Sequence, residues 1–454
     1  MYHLAYVFER FPTFTQTFCV REILELRRIG IRPLIFSIRD TGKEPFCQCS
    51  EDLKKLVHVL PPPEELEREV CQLREARALP QSVVLTLRQW GESPDKGRVY
   101  EAAWIGYKIQ QLAPGIQHVH AHFAGVAARA CWWLRKFHGL SYSFTAHAND
   151  IFCQQPDQKP EFSRLFREAS LIVAVSDYTA QHLRKAFPET APRVQRVYNG
   201  LDLAPFTNAR AKADRSRAAG GILSVGRLIE KKGYDDLIRA CALLRDRGVD
   251  FKCRIVGEGP LEADLKSQIS DFKLADAVEL VGAKPIPEII RLLAEETQVF
   301  ALACKTEKDG GRDVLPTVLM EAMAAGLPCV STRLAGVPEM VLEGKTGLLC
   351  EEKKPEALAD LLETLLKDPA RCEQMGQAGM KHAQANFSKE ITTSSLLKVF
   401  AAHTGLRFDF PLALREGLAG AFFRRWRGGG RELRHEIVKA RDKTFDLRRF
   451  MESA

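Results

Sequence analysis

The chain contains 454 residues, of which 45% are hydrophobic and 27% charged, and its formal net charge is +8. This balance excludes a mainly disordered or fibrous chain, and the length predicts roughly two to four domains rather than a single core. The sequence offers neither an apolar stretch long enough to span a membrane nor a signal-peptide core before its first strand-like segment, so a cytosolic location is expected.

The first part of the chain alternates short apolar runs with longer segments of helical period, a pattern typical of a parallel sheet with crossover helices. The predicted strands are residues 3–8, 32–38, 118–123, 142–146, 171–175 and 193–198. A charged segment of helical period, residues 64–89, follows three prolines. It predicts an insertion packed outside this sheet.

A second series of the same kind begins after a polar stretch, residues 208–221, which lacks hydrophobic periodicity and is interpreted as an interdomain connection. Its predicted strands are residues 222–226, 251–257, 277–282, 298–303 and 328–332. The sequence therefore predicts an α/β protein with two Rossmann-like domains, residues 1–205 and 206–388, followed by C-terminal helices and a basic tail, residues 389–454. Ligands of such sheets bind beyond the carboxyl ends of the strands, so the cleft between the domains is the expected site.

The twelve cysteines include no C-x-x-C pair, and Cys47 and Cys49 have no partner pair that would complete a zinc site. Reduced thiols and no bound metal are therefore expected.

A glycine turn with two basic residues follows the first strand of the second series. In the segment SVGRLIEKKG, Gly226 ends the strand, Arg227 and Lys232 follow, and a helix is predicted to begin near Gly233. Amides at a helix N-terminus and two cations would neutralise a diphosphate. A solvated basic turn is the alternative.

After the next strand, Gly257 opens the turn GEGP, whose glycines would admit a flat ring but would serve a helix start equally well.

Two acidic residues flank the start of a later predicted helix. Asp313 lies in a glycine-rich loop, Pro316 opens the helix, and Glu321 follows Asp313 by eight positions. Two carboxylates beside a helix N-terminus suit the hydroxyl groups of a sugar, while the first amides suit a phosphate. The alternative interpretation makes them a helix cap and a solvated helix position.

Together, GRLIEKKG, GEGP and the segment from Asp313 to Glu321, followed by GLP, AGVPE and GKTG, resemble the nucleotide-sugar domain of the retaining glycosyltransferases of family 4, which have the GT-B fold. The first half resembles the exopolysaccharide and colanic-acid branch of the same family through ERFPTFTQTFCVREI, HVHAHFAGVAARA and FTAHANDIF. The resemblance covers about residues 1–400.

The resemblance implies that Arg227 and Lys232 hold the donor diphosphate, that Glu321 binds the ribose hydroxyls, and that Asp313 contacts the transferred sugar. Asp313 stands where the family usually has Glu, and Gln16 where relatives often have Glu. His122 matches the active-site histidine near the reacting carbon, with His120 as an alternative. The residues expected to bind the donor are Thr15, Gly226, Arg227, Lys232, Gly257, Asp313, Leu315, Pro316, Thr317 and Glu321, and those expected to be catalytic are His122, Arg227, Lys232 and Asp313.

The loop FPTFTQTF is expected to run under the donor phosphates, where Thr15 and Thr17 could donate hydrogen bonds. His147, in FTAHAND, is expected either to support the same pocket or to be a satisfied core histidine.

The expected activity is retaining transfer of a sugar from a UDP- or GDP-sugar to a glycan or lipid-linked glycan, without a cofactor. The sequence lacks a D-x-D pair, so protein cations are expected to replace a metal. A GT-B nucleotide-sugar 2-epimerase and a catalytically silent glycan-binding relative are the alternatives. A Rossmann oxidoreductase is nearly excluded because no G-x-G-x-x-G follows the first strand, and no nucleic-acid partner is expected.

The tail carries much of the net charge, since residues 405–454 contain 12 Lys or Arg against 7 Asp or Glu. Phe422, Phe423 and Trp426 alternate there with arginines, which favours docking at an anionic membrane surface on its cytoplasmic side. Helices that cross back and pack on the N-terminal domain are the competing interpretation.

Overall fold

The computed structural model describes residues 4–13, 16–42, 51–89, 95–153, 159–214 and 218–408. Within these ranges the chain forms two parallel sheets, one of seven strands in the order β3-β2-β1-β4-β5-β6-β7 and one of six strands in the order β10-β9-β8-β11-β12-β13. The fold is therefore the predicted pair of Rossmann-like domains.

The strands of the first sheet are β1 (Ala5–Arg10), β2 (Leu34–Arg39), β3 (Val57–Val59), β4 (His118–His122), β5 (Ser141–Ala146), β6 (Leu171–Ala174) and β7 (Val194–Arg196). Those of the second are β8 (Gly221–Val225), β9 (Lys252–Val256), β10 (Val278–Leu280), β11 (Val299–Leu302), β12 (Cys329–Thr332) and β13 (Gly347–Cys350). All eleven strands predicted from the sequence are present, and the additional strands β3 and β13 lie at sheet edges.

The helices of the first domain are α1 (Thr17–Arg28), α2 (Glu51–Lys54), α3 (Pro63–Glu75), α4 (Gln81–Gln89), α5 (Lys96–Leu112), α6 (Val126–His138), α7 (Asn149–Phe152), α8 (Lys159–Glu168) and α9 (Asp177–Ala186). Those that follow are α10 (Ala204–Lys212), α11 (Tyr234–Asp246), α12 (Glu262–Asp271), α13 (Ile286–Glu295), α14 (Thr317–Ala324), α15 (Val337–Met340), α16 (Pro355–Leu366), α17 (Pro369–Asn386) and α18 (Lys389–Thr404). The predicted insertion forms α3 and α4, which pack against α5 rather than on the sheet.

Each sheet is buried on both faces, because successive side chains of its strands enter different cores. In β1, Ala5 and Val7 pack in one hydrophobic cluster, and Tyr6 and Phe8 pack in another. Strands covered on both faces read as continuous apolar runs, which explains why they were recognisable in the sequence.

The polar stretch interpreted as an interdomain connection lies between the last strand of the first sheet and the first strand of the second, and it is partly helical, which the sequence did not predict. Helix α10 covers its first residues and packs against α13. Leu201, Leu203 and Phe206 anchor this segment in a core of the second domain. These anchors precede the stretch, and α10 carries few apolar residues after Phe206, so periodicity gave no signal for the helix.

The C-terminal helix α18 crosses back to the first domain and packs against α1 and β6. Its Phe400 is fully buried, with its ring centroid 5.0 Å from that of His120. At the crossover, Leu201 forms a bridge with Ser388, and Lys389 Nζ lies 2.6 Å from Asp202 Oδ2.

The membrane-docking prediction concerns Phe422, Phe423 and Trp426, which lie outside the described residues, as do Cys47 and Cys49.

In the part of the chain that the structure describes, no helix is both long enough and apolar enough to cross a lipid bilayer.

Candidate active site

The predicted diphosphate turn begins where β8 ends, and backbone passes closely over backbone there. A Cβ atom on Gly257 would lie 1.9 Å from the carbonyl oxygen of Gly226, so a side chain at Gly257 would clash with the main chain. Gly233 adopts φ +65° before α11, and a Cβ atom there would lie 1.8 Å from the Ala303 carbonyl oxygen. Both positions therefore require glycine, and the turns after β8 and β9 are held together.

Two lysines of this turn converge on the acidic residue predicted to contact the sugar. Lys232 Nζ lies 2.6 Å from Asp313 Oδ2, and Lys231 Nζ lies 3.7 Å from Asp313 Oδ1. The side chains of Lys232 and Asp313 are 13% and 16% exposed. Asp313 is thus occupied as a counter-ion of the lysines rather than open to a ligand.

The surroundings keep this pair ionised. Burial would raise the pKa of Asp313, but Lys232 and Lys231 outweigh burial, and the pKa is lowered. Burial would likewise lower the pKa of Lys232, but attraction to Asp313 raises it. Arg227 is exposed, and its charge also acts on both groups. Three cations therefore surround one carboxylate, which leaves an excess of positive charge for an anionic ligand.

Sequence reasoning missed Lys231, although it stands next to Lys232. A short 3₁₀ turn, Glu230–Lys232, precedes Gly233 and allows both lysines to approach the same carboxylate. The signal that could have identified Lys231 is the pair of adjacent lysines before Gly233.

Helix α14 supplies the remaining predicted donor-binding residues. Leu315 and Pro316 are buried, Pro316 is the N-cap, and Thr317 is the first helical residue. The first amides of an α-helix have no intrahelical acceptor and favour anions. Asp313 lies four residues before α14, and the charge of Lys232 acts on Glu321 of the same helix.

Glu321 is partly buried on α14. Burial raises the pKa of its carboxyl group to about 7, although Arg21 and Lys232 favour the ionised form. Arg21 belongs to α1 of the first domain, and its Nε donates a hydrogen bond to the Gly200 carbonyl oxygen at 3.1 Å. A cation from the first domain therefore acts on the predicted ribose-binding carboxylate.

In the first domain, His122 lies at the carboxyl end of β4, where the family resemblance expects the active-site histidine. Its Nδ1 is 3.1 Å from Nε2 of His147, and its Nε2 is 3.3 Å from Oε1 of Glu22. His147 thus contacts His122 directly. Glu22, on α1, was not singled out from the sequence, because the contact joins residues 100 positions apart.

His120 belongs to the interior of the sheet. Its two ring nitrogens lie 2.7 Å from Ser143 Oγ and 3.0 Å from Thr145 Oγ1. Glu22, His120 and His122 offer ligand atoms within 4.8 Å of one another, the spacing of a metal site. A metal would have to displace the hydrogen bonds of His120, so these residues fit a hydrogen-bonded core better than a metal.

The loop predicted to run under the donor phosphates is described in part. Thr15 lies outside the described residues, Gln16 precedes α1 without a side-chain capping bond, and Thr17 is the first residue of α1. The contacts predicted for Thr15 stay a prediction.

A carboxylate of the second domain joins the two domains beside this site. Glu339, in AGVPE, accepts hydrogen bonds from the backbone amides of Asp177 and Tyr178 at 2.7 and 2.8 Å. Arg312 Nη1 also donates to the Tyr178 hydroxyl oxygen at 3.0 Å. A negative charge at the N-terminus of α9 is favourable, so these contacts stabilise the juxtaposition of the domains.

Comparison with known proteins assigns both halves to one family. A model described as "Glycosyltransferase Family 4" matches residues 24–205, and a model described as "Glycosyl transferases group 1" matches residues 207–382. The amylovoran biosynthesis glycosyltransferase AmsK of Erwinia amylovora is 33% identical over 65% of this chain and 72% of its own length. The chain belongs to glycosyltransferase family 4.

Two further comparisons give a second relative and a solved structure of similar fold. The putative colanic acid biosynthesis glycosyltransferase WcaL of Escherichia coli is 34% identical over 59% of this chain, and the match spans 63% of the length of WcaL. The crystal structure of Anabaena HepE in complex with UDP has a TM-score of 0.64 at 18% identity, covering 88% of this chain and 100% of HepE. That likeness confirms the GT-B fold.

Proposed function

We propose that this protein is a retaining, metal-independent glycosyltransferase that moves a sugar from a UDP- or GDP-sugar to a hydroxyl group of a glycan or lipid-linked glycan. The observation that carries the proposal is the convergence of Lys231 and Lys232 on Asp313, four residues before the start of α14. WcaL and AmsK are described as glycosyltransferases of colanic acid and amylovoran biosynthesis, which supports a role in cell-surface polysaccharide synthesis.

In the proposed mechanism the donor diphosphate replaces Asp313 as the partner of Lys232. Lys232 and Arg227 then stabilise the negative charge that develops on the leaving phosphate, which a divalent ion does in other transferases. Release from Lys232 frees the Asp313 carboxylate to accept hydrogen bonds from hydroxyl groups of the transferred sugar. Lys232 therefore has an anionic partner both before and after the donor binds.

The proposed retention is supported by the resemblance to the retaining transferases of family 4 rather than by a visible nucleophile. The acceptor hydroxyl attacks the anomeric carbon on the face that the diphosphate leaves, and its proton passes to the departing phosphate oxygen. The glycosidic bond to the phosphate breaks as the new bond forms. Positioning and electrostatic stabilisation supply most of the rate enhancement.

The test combines binding with transfer. UDP-, GDP- and ADP-sugars are screened for thermal stabilisation of the full chain, because a ligand bound by the native state raises Tm. The stabilising donor is then incubated with candidate acceptors, and the anomeric configuration of the product is read by NMR. We expect acceptor-dependent nucleotide release and retained configuration.

Two variants test whether donor binding depends on Lys232 or on the general positive charge of the protein surface. Lys232→Ala should abolish most donor-induced stabilisation, whereas Lys266→Ala, which removes an exposed lysine paired with Glu262, should not. Release of nucleotide without an acceptor, accompanied by a change at C2 of the sugar, would instead show an epimerase. Binding without turnover under all conditions would show a glycan-binding relative.

A further inference from the structure

His122 is held by protein groups at both ring nitrogens. Glu22 accepts at Nε2, and the Nε2 atom of His147 faces Nδ1. The His122 side chain is 1% exposed, whereas the Glu22 side chain is 20% exposed. The ring of Phe8 stacks on His122 at 5.4 Å between centroids, which further fixes the imidazole. The orientation of His122 is therefore set by the protein and not by a ligand.

The titratable groups that face His122 come from every element packed against it, and they are Tyr6, Cys19, Glu22, His120 and His147. Burial raises the pKa of Tyr6 and Cys19, so both are neutral at pH 7. Burial also lowers the pKa of His120 and His147, which keeps both uncharged. Glu22 therefore supplies the negative charge beside His122.

Glu22 is itself fixed in place. The Tyr6 hydroxyl donates to Glu22 Oε1 at 2.6 Å, and the same oxygen lies 3.3 Å from His122 Nε2. An ionised carboxylate only accepts hydrogen bonds, so Nε2 of His122 carries a proton. Nδ1 of His122 lies 3.1 Å from Nε2 of His147, so a second proton on Nδ1 would have an acceptor as well.

We propose that Glu22 is the positioning residue that keeps His122 protonated and oriented, so that the first domain holds a buried positive charge at the carboxyl end of β4, beside the expected donor site. The proposal rests on the proposed function, because it takes the donor to bind at that end of the sheet. Glu22 Oε1 lies at ion-pairing distance from His122 Nε2, 3.3 Å. Burial opposes a charge on His122, whereas the Glu22 carboxylate favours it, so Glu22 is the partner whose removal tests the proposal.

The test compares the pH dependence of kcat in the full-length protein and in Glu22→Gln. In the native protein His122 stays charged over the neutral range, so its deprotonation does not limit kcat there. Without the carboxylate charge, burial still lowers the pKa of His122 and one of the groups that raise it is gone, so the pKa falls. We expect kcat of Glu22→Gln to fall roughly 10- to 100-fold at pH 7.5 and to recover as the pH is lowered toward 5.5.

Glu25 offers a matched control on the same helix. It is buried and pairs with Arg28 at 2.6 Å, away from His122. Glu25→Gln should lower Tm without changing the shape of the pH profile. Glu22→Asp, which keeps the charge, should retain the native profile. A uniform loss of activity at every pH in Glu22→Gln would show a merely structural role and overturn the proposal.

Side-chain NMR of histidine-labelled native protein tests the same point without a variant at Glu22. His122→Gln assigns the His122 signal, and we expect imidazolium shifts at pH 7.5. A neutral imidazole would overturn the proposal even if sugar transfer is confirmed. Absence of transfer activity with a cationic His122 would refute the proposed function but leave the Glu22–His122 pairing intact.

Discussion

Ionisation of the buried Glu321 carboxyl group should lower the free energy of unfolding by a measurable amount. Its carboxyl group has an ordinary pKa of 4.5 when unfolded and about 7 in the folded protein. The folded state therefore binds more protons than the unfolded state between these values, so stability falls as the pH rises through this window. At about 1.4 kcal/mol per pKa unit, the full cost above pH 7 is up to about 3 kcal/mol.

The isosteric change Glu321→Gln removes the charge and keeps the shape. We expect the ligand-free variant to be more stable than the native protein at pH 8 by up to about 3 kcal/mol. For a domain of this size that gain corresponds to a rise in Tm of roughly 6 to 12 °C. The advantage should shrink as the pH falls and disappear below about pH 4, where the carboxyl group is protonated in both the folded and the unfolded state.

The same substitution should weaken nucleotide binding, because an ionised carboxylate accepts ribose hydroxyls more strongly than an amide does. The loss of a hydrogen bond to a charged group is worth about 1.5 to 3 kcal/mol, which corresponds to roughly a 10- to 100-fold increase in Kd. Thermal denaturation across pH and calorimetry with free UDP and GDP measure the two effects separately. A gain in apo stability with a loss of ligand affinity is the expected signature.

Glu262→Gln is the matched control, since Glu262 is an exposed helix residue paired with Lys266. It should change stability by less than about 0.5 kcal/mol at any pH. If Glu321→Gln were no more stable than the native protein at pH 8, or if its effect were independent of pH, the burial argument would be refuted.

Three further predictions concern the same site, and a fourth concerns the basic tail. Lys232→Ala should reduce kcat/KM by roughly 10²- to 10³-fold while costing less in folding stability, and near-normal turnover would contradict the phosphate assignment. Asp313→Asn should impair binding of the full sugar donor but spare free UDP or GDP, so equal losses for both ligands by calorimetry would remove its role toward the sugar. Activity should survive EDTA, because Arg227, Lys231 and Lys232 supply the positive charge, and restoration of a chelated preparation by Mg²⁺ or Mn²⁺ would count against that mechanism. The full chain should co-sediment with anionic vesicles at low salt more strongly than a truncation ending at Thr404, and equal sedimentation would favour packing of the tail on the protein.

The sequence by itself determined the two sheets and the position of the cleft. Strands buried on both faces are continuous apolar runs, and the glycine turns that follow β8 and β9 are local features of the chain. Because the carboxyl ends of parallel strands meet at one edge of a sheet, the glycine turn with Lys232 could be assigned to the cleft before any contact was known, whereas His122 was assigned through the family resemblance. The edge strands β3 and β13 were not predicted.

Tertiary structure alone decided how the charges of the site are paired. Asp313, expected to be open to a sugar, neutralises Lys231 and Lys232 across a loop of the second domain. Glu22 meets His122 across 100 positions of sequence. Ion pairs between distant residues leave no periodic trace in a sequence, because their geometry depends on the packing of helices and loops around the sheet. Burial favours the neutral form of both Glu321 and His122. The groups beside His122 outweigh burial and raise its pKa, whereas Arg21 and Lys232 do not outweigh burial at Glu321.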